Sequence, residues 1–361
     1  MRLVSTFTVK PGATVAKAIY NEKGQILLNE GVCLSSGIIN RLQASGISNI
    51  FIKDQETDDI DFEGTLSESL QREAIQTINS TFVELQNNMS INRSFVVEKA
   101  SKRFTELIRN LLTELNEKKE LMTLLSNAYA YDNYIFTHSL NVTLYSLAIG
   151  MQLKLSQKEL EILGTGAIFH DIGKLNVPLE ILLKPNKLTD VEYLTIKKHA
   201  EDGFNILRKV QTIPLLVSHC AFQHHERLNG SGYPRGIMGN EIHFYAKIIA
   251  VSDVFDAVTS NRVYRSALLP HEGLEILYAG SGTLFDQSIV EAFRLSVAIY
   301  PVGLTVQLND GRKGVVSRQN VGLGDRPIVR ILEENGIKVS PYEIDLKKEL
   351  TVVIMNCDTS F

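Results

Sequence analysis

Residues 224–234 read His-His-Glu-Arg-Leu-Asn-Gly-Ser-Gly-Tyr-Pro. The chain has only eight histidines among 361 residues, so two adjacent imidazoles need an explanation. Imidazole is the commonest neutral metal ligand, and neighbouring imidazoles can hold one ion where the backbone leaves helical geometry. Gly230 and Gly232 allow the backbone to bend directly after the pair. The stretch therefore predicts a metal site, to which the rest of the chain contributes carboxylates and further imidazoles.

The composition is that of an ordinary globular protein. Hydrophobic residues make up 44% and charged residues 22%, which is enough apolar material for a sizeable core. The length exceeds that of a usual single domain, so several domains are expected. The net charge of −4 argues against binding to a nucleic acid polymer, because such proteins carry a basic face.

The sequence gives no sign of export or of a membrane span. The longest apolar stretch, at residues 142–155, is too short to cross a bilayer and contains Ser146 and Lys154. No charged segment followed by an apolar run opens the chain. The cysteines are Cys33, Cys220 and Cys357, an odd number that is far apart and fits free thiols. We expect a cytoplasmic protein.

Patterns along the chain predict four units. Residues 1–62 have short strand patterns, including residues 6–10, and one helix pattern at residues 36–45, which indicates a small α+β accessory or regulatory domain. Residues 63–125 read as a helical connector with a break at residues 87–92. Residues 126–300 read as a succession of helices in one helical domain. Residues 301–361 read as a small β domain, with one of its strands at residues 350–355.

The connector has an apolar stripe at helical spacing. Its members recur every three or four residues: Val97, Phe104, Leu107, Ile108, Leu111 and Leu115. Two interpretations remain open. The stripe either forms a dimerising, signal-transmitting helix pair, or it packs onto the domain that follows.

Candidate metal ligands fall on successive predicted helices of residues 126–300. They are His138, His170, Asp171, His199, His224, His225 and Asp253. Asp253 lies on the apolar side of its helix, where a carboxylate is costly unless it is paired or bound to a metal. Seven ligands are too many for one ion and suit two ions, with Asp171 between them. The alternative is a set of unrelated surface histidines.

These residues resemble the HD-GYP family, a branch of the HD phosphohydrolase superfamily. The resemblance rests on the ligands above together with Lys174, Glu226 and the Gly-x-Gly-Tyr-Pro motif at residues 230–234. It implies an HD-type helical catalytic domain, flanked here by the small N-terminal α+β domain and the small C-terminal β domain. It also implies two divalent ions, iron or manganese, and hydrolysis of cyclic di-GMP to pGpG, GMP or both.

The resemblance also implies a role for each matched residue. One ion would be held by His138, His170, Asp171 and Asp253. The other would be held by Asp171, His199, His224 and His225. Asp171 and Lys174 would be catalytic, and Lys174, Tyr233, Arg262 and Arg265 would contact the substrate. Glu226 would support the ligands or anchor the loop. Two ions about 3.5–4 Å apart can lower the pKa of a bridging water and clamp phosphate oxygens.

Two positions depart from the family pattern. Tyr134 stands where some members have a Glu that supports a third metal, so two metals are expected. Asn229 replaces an Asp that is frequent in the loop, and Asn tolerates the same turn geometry.

Two alternatives to cyclic di-GMP hydrolysis remain. The substrate is another cyclic dinucleotide, such as 3′,3′-cyclic GMP-AMP, or the protein is a low-turnover nucleotide receptor or signalling scaffold. Candidate protein partners are a second copy of the chain and a GGDEF-type signalling protein.

Overall fold

The computed structural model describes residues 1–20, 26–45, 47, 49–60, 66–88, 93–117, 134–182, 184, 186–260, 268–320 and 322–357. Across these residues, no helix has both the length and the hydropathy needed to cross a lipid bilayer.

The N-terminal unit contains short strands and one helix. Its elements are β1 (Arg2–Ser5), β2 (Ile19–Tyr20), β3 (Ile26–Leu28), α1 (Ser36–Ala44) and β4 (Asn49–Ile52). β1 pairs antiparallel with β4, and β2 pairs antiparallel with β3. The strand expected at residues 6–10 is wrong. Those residues follow β1 in a turn in which the N–H groups of Thr8 and Val9 both donate to the carbonyl of Ser5.

Two long helices, α2 (Glu68–Asn88) and α3 (Arg93–Glu117), lie in the range expected to be a helical connector. Of the break expected at residues 87–92, residues 89–92 lie outside the described residues. Every member of the apolar stripe of α3 is at most 2% exposed within the single chain. The stripe belongs to one core that also contains Leu140, Leu160 and Phe169 of the following helices. The packing interpretation is therefore confirmed, because this face is already covered.

Nine further helices make up the described part of residues 134–296. They are α4 (Tyr134–Gln152), α5 (Gln157–Phe169), α6 (Leu179–Leu182), α7 (Asp190–Lys197), α8 (His199–Leu207), α9 (Leu215–Gln223), α10 (Phe244–Thr259), α11 (Pro270–Gly280) and α12 (Gln287–Ser296). The sequence Thr189-Asp190-Val191-Glu192 has a capping-box pattern, and Thr189 and Glu192 satisfy each other's backbone N–H groups at the start of α7. Ser156 and Glu159 do the same for α5.

A 3₁₀ turn at Ile172–Asn176 follows α5 and packs directly on α8. Gly173 makes this contact possible. A Cβ at this position would collide with the backbone carbonyl of His199 and approach the backbone nitrogen of Gly203. Because the glycine has no side chain, the end of α5 and the start of α8 come together with their functional side chains adjacent.

The C-terminal unit is one antiparallel sheet of five strands in the order β8-β7-β6-β5-β9. The strands are β5 (Thr305–Leu308), β6 (Arg312–Arg318), β7 (Ile328–Glu334), β8 (Ile337–Asp345) and β9 (Ile354–Cys357). The sequence did not reveal β8. The strand expected at residues 350–355 is wrong in position, because residues 346–351 form turns and pairing with β5 starts at Ile354.

The terminal units and the helices share a continuous core. One cluster of buried residues joins Leu3 of β1, Phe293 of α12 and Val316 of β6. The N–H of Leu3 donates to the carbonyl of Gly303 at 2.7 Å. The fold is thus a helical domain with strands at its N-terminal side and a sheet at its C-terminal side, packed together.

Candidate metal centre

Five helices deliver the predicted ligands to one place. His138 comes from α4, and His170 and Asp171 follow the end of α5. His199 is the first residue of α8, the pair His224 and His225 follows α9, and Asp253 lies on α10. Six of the seven are at most 6% exposed, whereas the side chain of His225 is 19% exposed. The cluster therefore opens to solvent on the side of His225.

The side chains form two groups that share one carboxylate. One group is Asp171, His199, His224 and His225, and the other is His138, His170 and Asp171. Within each group the ligand atoms lie within 4.8 Å of one another. Asp253 is next to the second group, with its Oδ1 at 3.3 Å from Nε2 of His138. The structure thus brings together all seven residues chosen from the sequence.

The two oxygens of Asp171 face different imidazoles. Oδ1 lies 3.3 Å from Nε2 of His199 and 3.9 Å from Nε2 of His224. Oδ2 lies 3.3 Å from Nε2 of His170 and 3.7 Å from Nε2 of His138. A carboxylate in this position can offer one oxygen to each of two cations.

Three imidazoles use their Nδ1 atoms to contact backbone carbonyls one turn earlier. The distances are 2.7 Å from His170 to Ala167, 2.7 Å from His199 to Ile196 and 2.9 Å from His224 to Ala221. A carbonyl only accepts, so Nδ1 carries the hydrogen and Nε2 presents a lone pair. The Nε2 atoms of His199 and His224 lie 3.3 Å apart. Two lone pairs at this distance repel each other unless a cation lies between them.

The unpartnered atoms of the cluster also fit a metal. Nε2 of His170 and Oδ1 of Asp171 are buried and form no hydrogen bond with any residue that the structure describes. Burying such atoms without a partner is costly. Imidazole nitrogens and carboxylate oxygens in this combination suit a divalent transition metal such as iron or manganese. The residues present therefore fit the metal that the sequence led us to expect.

Burial keeps His199, His224 and His225 neutral. It is the main cause that lowers the pKa of His199, and it holds the pKa values of His224 and His225 well below the usual value. Neighbouring imidazoles lower the pKa values of His224 and His225 further. A neutral imidazole is the form that binds a metal.

The carboxylates stay ionised although they are buried. Burial alone would raise the pKa of Asp171, but the Lys174 ammonium, His170 and His199 together outweigh it and hold that pKa well below its usual value. Burial would likewise raise the pKa of Asp253, but the hydrogen bond from His138 and the charges of the neighbouring imidazoles together hold that pKa well below its usual value. The cluster therefore provides two negative charges at its centre.

A third buried carboxylate, that of Asp256, was not singled out from the sequence and supports His138. Oδ2 of Asp256 lies 2.7 Å from Nδ1 of His138, and Asn141 donates to its Oδ1 at 2.7 Å. Burial alone would lower the pKa of His138, but Asp253 and Asp256 outweigh it and raise that pKa to about 9. A carboxylate behind an imidazole orients the ring and strengthens it as a ligand. The available signal was the spacing: Asp256 follows Asp253 by three residues, on the same helix face.

The loop after His225 is closed by Glu226, as the sequence suggested. Glu226 is 2% exposed, and its Oε1 accepts the backbone N–H of Arg235 at 2.8 Å. Arg227, another residue not singled out, donates to the carbonyls of His224 and Glu226 at 3.2 and 2.8 Å. Gly230 has a φ of +78°, which a residue with a side chain rarely adopts. The loop is thus tied back to the ligand pair.

The expected substrate-contacting residues are only partly described. The ring of Tyr233 stacks on that of His225, with centroids 4.6 Å apart. Nζ of Lys174 donates to Oδ2 of Asp171. Arg262 and Arg265 lie outside the described residues.

Of the two residues that depart from the family pattern, Asn229 has a described side chain and Tyr134 does not. Oδ1 of Asn229 accepts from the backbone N–H of Ser231 at 3.0 Å, as the turn requires. Tyr134 is the first residue of α4, and its side chain is outside the described part.

Comparisons with known proteins agree on one family for this chain. A sequence model of the family described as HD domain matches residues 96–289, more than half of the chain. A cyclic di-GMP phosphodiesterase of Pseudomonas aeruginosa is 38% identical over 189 residues, 52% of this chain and 45% of that relative. The cyclic di-GMP phosphodiesterase response regulator RpfG of Xanthomonas campestris pv. campestris is 37% identical over 201 residues, 54% of this chain and 53% of that relative.

A third relative is named for a different substrate. The 3′3′-cGAMP-specific phosphodiesterase 3 of Vibrio cholerae is 36% identical over 168 residues, 46% of this chain and 36% of that relative. The chain spans about half the length, or less, of these curated relatives. The resemblance noted in the sequence is confirmed at the level of the family.

Proposed function

Because the chain belongs to the HD domain family, we propose that it is a metal-dependent phosphodiesterase that hydrolyses cyclic di-GMP to pGpG, GMP or both. One observation carries the proposal. Six buried or nearly buried ligands form two groups that share Asp171, and Asp253 lies next to one group, which is an arrangement that suits a pair of divalent ions. Two relatives named as cyclic di-GMP phosphodiesterases support the substrate.

In this proposal the ligands divide as the sequence resemblance implied. His138, His170 and Asp253 would hold one ion, His199, His224 and His225 the other, and Asp171 both. Bound divalent ions would supply Lewis acidity, which lowers the pKa of water and neutralises charge on a phosphodiester. Asp256 orients His138 by its contact with Nδ1, and backbone carbonyls orient the rings of His170, His199 and His224.

The chain's own side chains would position the phosphodiester on the open side of the cluster. The side chain of Lys174 is 25% exposed, and its ammonium contacts the shared carboxylate. An ammonium at this position can stabilise a phosphate oxygen electrostatically as negative charge develops on that oxygen. Tyr233 would form one wall, and its burial raises the pKa of its hydroxyl so that it stays a neutral hydrogen-bond donor. Arg262 and Arg265 remain proposed substrate contacts.

The test is an assay of anaerobically purified protein loaded with iron or manganese, in which the metal content is measured alongside turnover. We expect hydrolysis of cyclic di-GMP that exceeds hydrolysis of 3′,3′-cyclic GMP-AMP. The relatives named as specific for 3′3′-cGAMP favour the second substrate as the alternative. A metal-loaded protein that leaves both nucleotides intact would refute the proposal.

The shared carboxylate separates an enzyme from a receptor. Asp171→Ala removes a buried charge that contacts both ligand groups, so we expect loss of bound metal and of turnover together. Metal content by mass spectrometry and hydrolysis by chromatography measure the two effects. Tight nucleotide binding that persists in Asp171→Ala without any wild-type hydrolysis would favour a receptor or scaffold instead.

A further inference from the structure

Lys197, the last residue of α7, lies between two tyrosine rings. Its Nζ is 4.7 Å from the ring centroid of Tyr193 and 4.9 Å from that of Tyr233. The π face of an aromatic ring attracts a cation, and the attraction grows as the cation loses water. The two rings therefore hold the ammonium in one place, although Lys197 itself remains partly exposed.

The location connects Lys197 to the metal centre. Tyr233 stacks on His225, the most exposed of the predicted ligands, with an interplanar angle of 27°. The same tyrosine ring lies 6.4 Å from that of His199. Lys197 thus stands on the side where the cluster opens to solvent, one ring beyond the ligands.

In the described ranges no carboxylate forms an ion pair with Lys197, whereas Lys174 contacts Asp171 and Lys184 contacts Glu192. An ammonium that is fixed by aromatic rings and has no counter-ion is prepared to bind an anion.

We propose that Lys197 binds the phosphodiester group of the cyclic dinucleotide that is not being cleaved. This inference rests on the proposed function and adds a specificity determinant to it. A cyclic dinucleotide has two phosphodiesters, and the roles proposed above for the ligand cluster and Lys174 concern the reacting one. A cation fixed beside the open side of the cluster suits the second phosphodiester, because a charge-assisted hydrogen bond to phosphate is strong. Tyr193 and Tyr233 position Lys197 for this contact.

The test compares Lys197→Met, which keeps the length but removes the charge, with Lys197→Arg, which keeps the charge. The matched control is Lys198→Met, since Lys198 is the next residue and is exposed. Each variant is assayed with cyclic di-GMP, 3′,3′-cyclic GMP-AMP and bis(p-nitrophenyl) phosphate. The last probe has one phosphodiester and no second phosphate, so it reports only the integrity of the metal centre.

For Lys197→Met we expect the KM for both cyclic dinucleotides to rise about tenfold with kcat nearly unchanged, which corresponds to one charged hydrogen bond. Hydrolysis of bis(p-nitrophenyl) phosphate should stay at the wild-type rate. Lys197→Arg should recover most of the loss, and Lys198→Met should behave as the wild type.

Several results would overturn the inference. An unchanged KM in Lys197→Met would do so. An equal loss of bis(p-nitrophenyl) phosphate hydrolysis in Lys197→Met would also do so, as would an equal rise of the KM for cyclic dinucleotides in Lys198→Met. A loss confined to cyclic di-GMP would place Lys197 at a guanine base instead. If the wild type leaves cyclic dinucleotides intact, the proposed function fails. The Kd for cyclic di-GMP by calorimetry then replaces KM, and the same tenfold difference decides the role of Lys197.

Discussion

At the scale of single residues, the orientation of each imidazole depends on the group that its Nδ1 atom contacts. His170, His199 and His224 contact backbone carbonyls through Nδ1, so helix geometry alone fixes their rings. His138 differs, because its Nδ1 faces the side chain of Asp256 at 2.7 Å. The orientation of His138 therefore depends on another side chain and can be altered by substitution.

Asp256→Asn keeps the shape of the side chain but removes the charge behind His138. We expect metal affinity or turnover to fall about 10- to 100-fold, as is typical when the partner of a ligating imidazole is lost. Metal titration followed by an activity assay measures this. Glu275→Gln, an exposed carboxylate on α11, is the matched control and should have no effect. Wild-type metal affinity and turnover in Asp256→Asn would contradict the positioning role.

Glu226 acts on the loop. Its Oε1 accepts from Arg235, and its Oε2 is buried and has no hydrogen bond in the described part of the chain. Glu226→Ala should raise the KM, because the loop that contains Tyr233 loses an anchor worth about 1 kcal/mol. Glu226→Gln keeps an acceptor for the backbone N–H of Arg235, so its KM should rise less. Steady-state kinetics measure the KM of both variants. A larger rise in Glu226→Gln than in Glu226→Ala would contradict the anchoring role.

At the scale of elements, the close contact between the 3₁₀ turn after α5 and α8 sets the geometry of the cluster. This contact brings Asp171, at the start of the turn, within 3.3 Å of His199, at the start of α8. Gly173 is the point of closest approach. The distance between the two ligands therefore depends on a residue that is not itself a ligand.

Gly173→Ala should push the two elements apart, because the new Cβ meets the backbone of His199 and Gly203. We expect a loss of about 1–3 kcal/mol in the free energy of unfolding and weaker metal binding. Gly37→Ala is the control: a Cβ there meets nothing nearer than Oγ of Ser35 at 3.9 Å, and alanine favours a helix. Thermal denaturation and metal titration compare the two, and equal stability would show that the contact relaxes freely.

At the scale of the whole molecule, the terminal units are packed against the helices. Leu304 is fully buried and pairs with Leu3 of β1 in a bridge between the two ends of the chain. Arg330 of β7 forms an ion pair with Asp59. The helical domain, the N-terminal strands and the C-terminal sheet should therefore respond together to a change in their common core.

Leu304→Ala tests this coupling. Truncation of a fully buried leucine should reduce the free energy of unfolding by about 2–5 kcal/mol. Leu350→Ala removes the same atoms from a side chain that is 71% exposed, and it should change stability by less than about 0.5 kcal/mol. Urea denaturation measures both. Similar denaturation midpoints for the two variants would mean that the packing of Leu304 contributes little to the free energy of unfolding.

Local signals predicted many of the elements and all seven proposed ligands. The capping box at Thr189 and the apolar stripe of α3 depend on near neighbours in the chain, so they could be found by inspection. Signals that involve distant segments were missed. Asp256 meets His138 across 118 positions, and β8 is recognisable only when it pairs with β7.

The sequence by itself determined which residue types are available: five imidazoles and two carboxylates on helical segments, and a glycine-rich loop after the last pair. The sequence suggested that Asp171 lies between two ions, but only the tertiary structure decided its contacts, because these require α5, α8 and α9 to meet at one carboxylate. It also decided that Lys197 lies between Tyr193 and Tyr233. The physical reason is that ligand chemistry belongs to side chains, whereas distances of a few ångströms between them arise from the packing of helices remote in sequence.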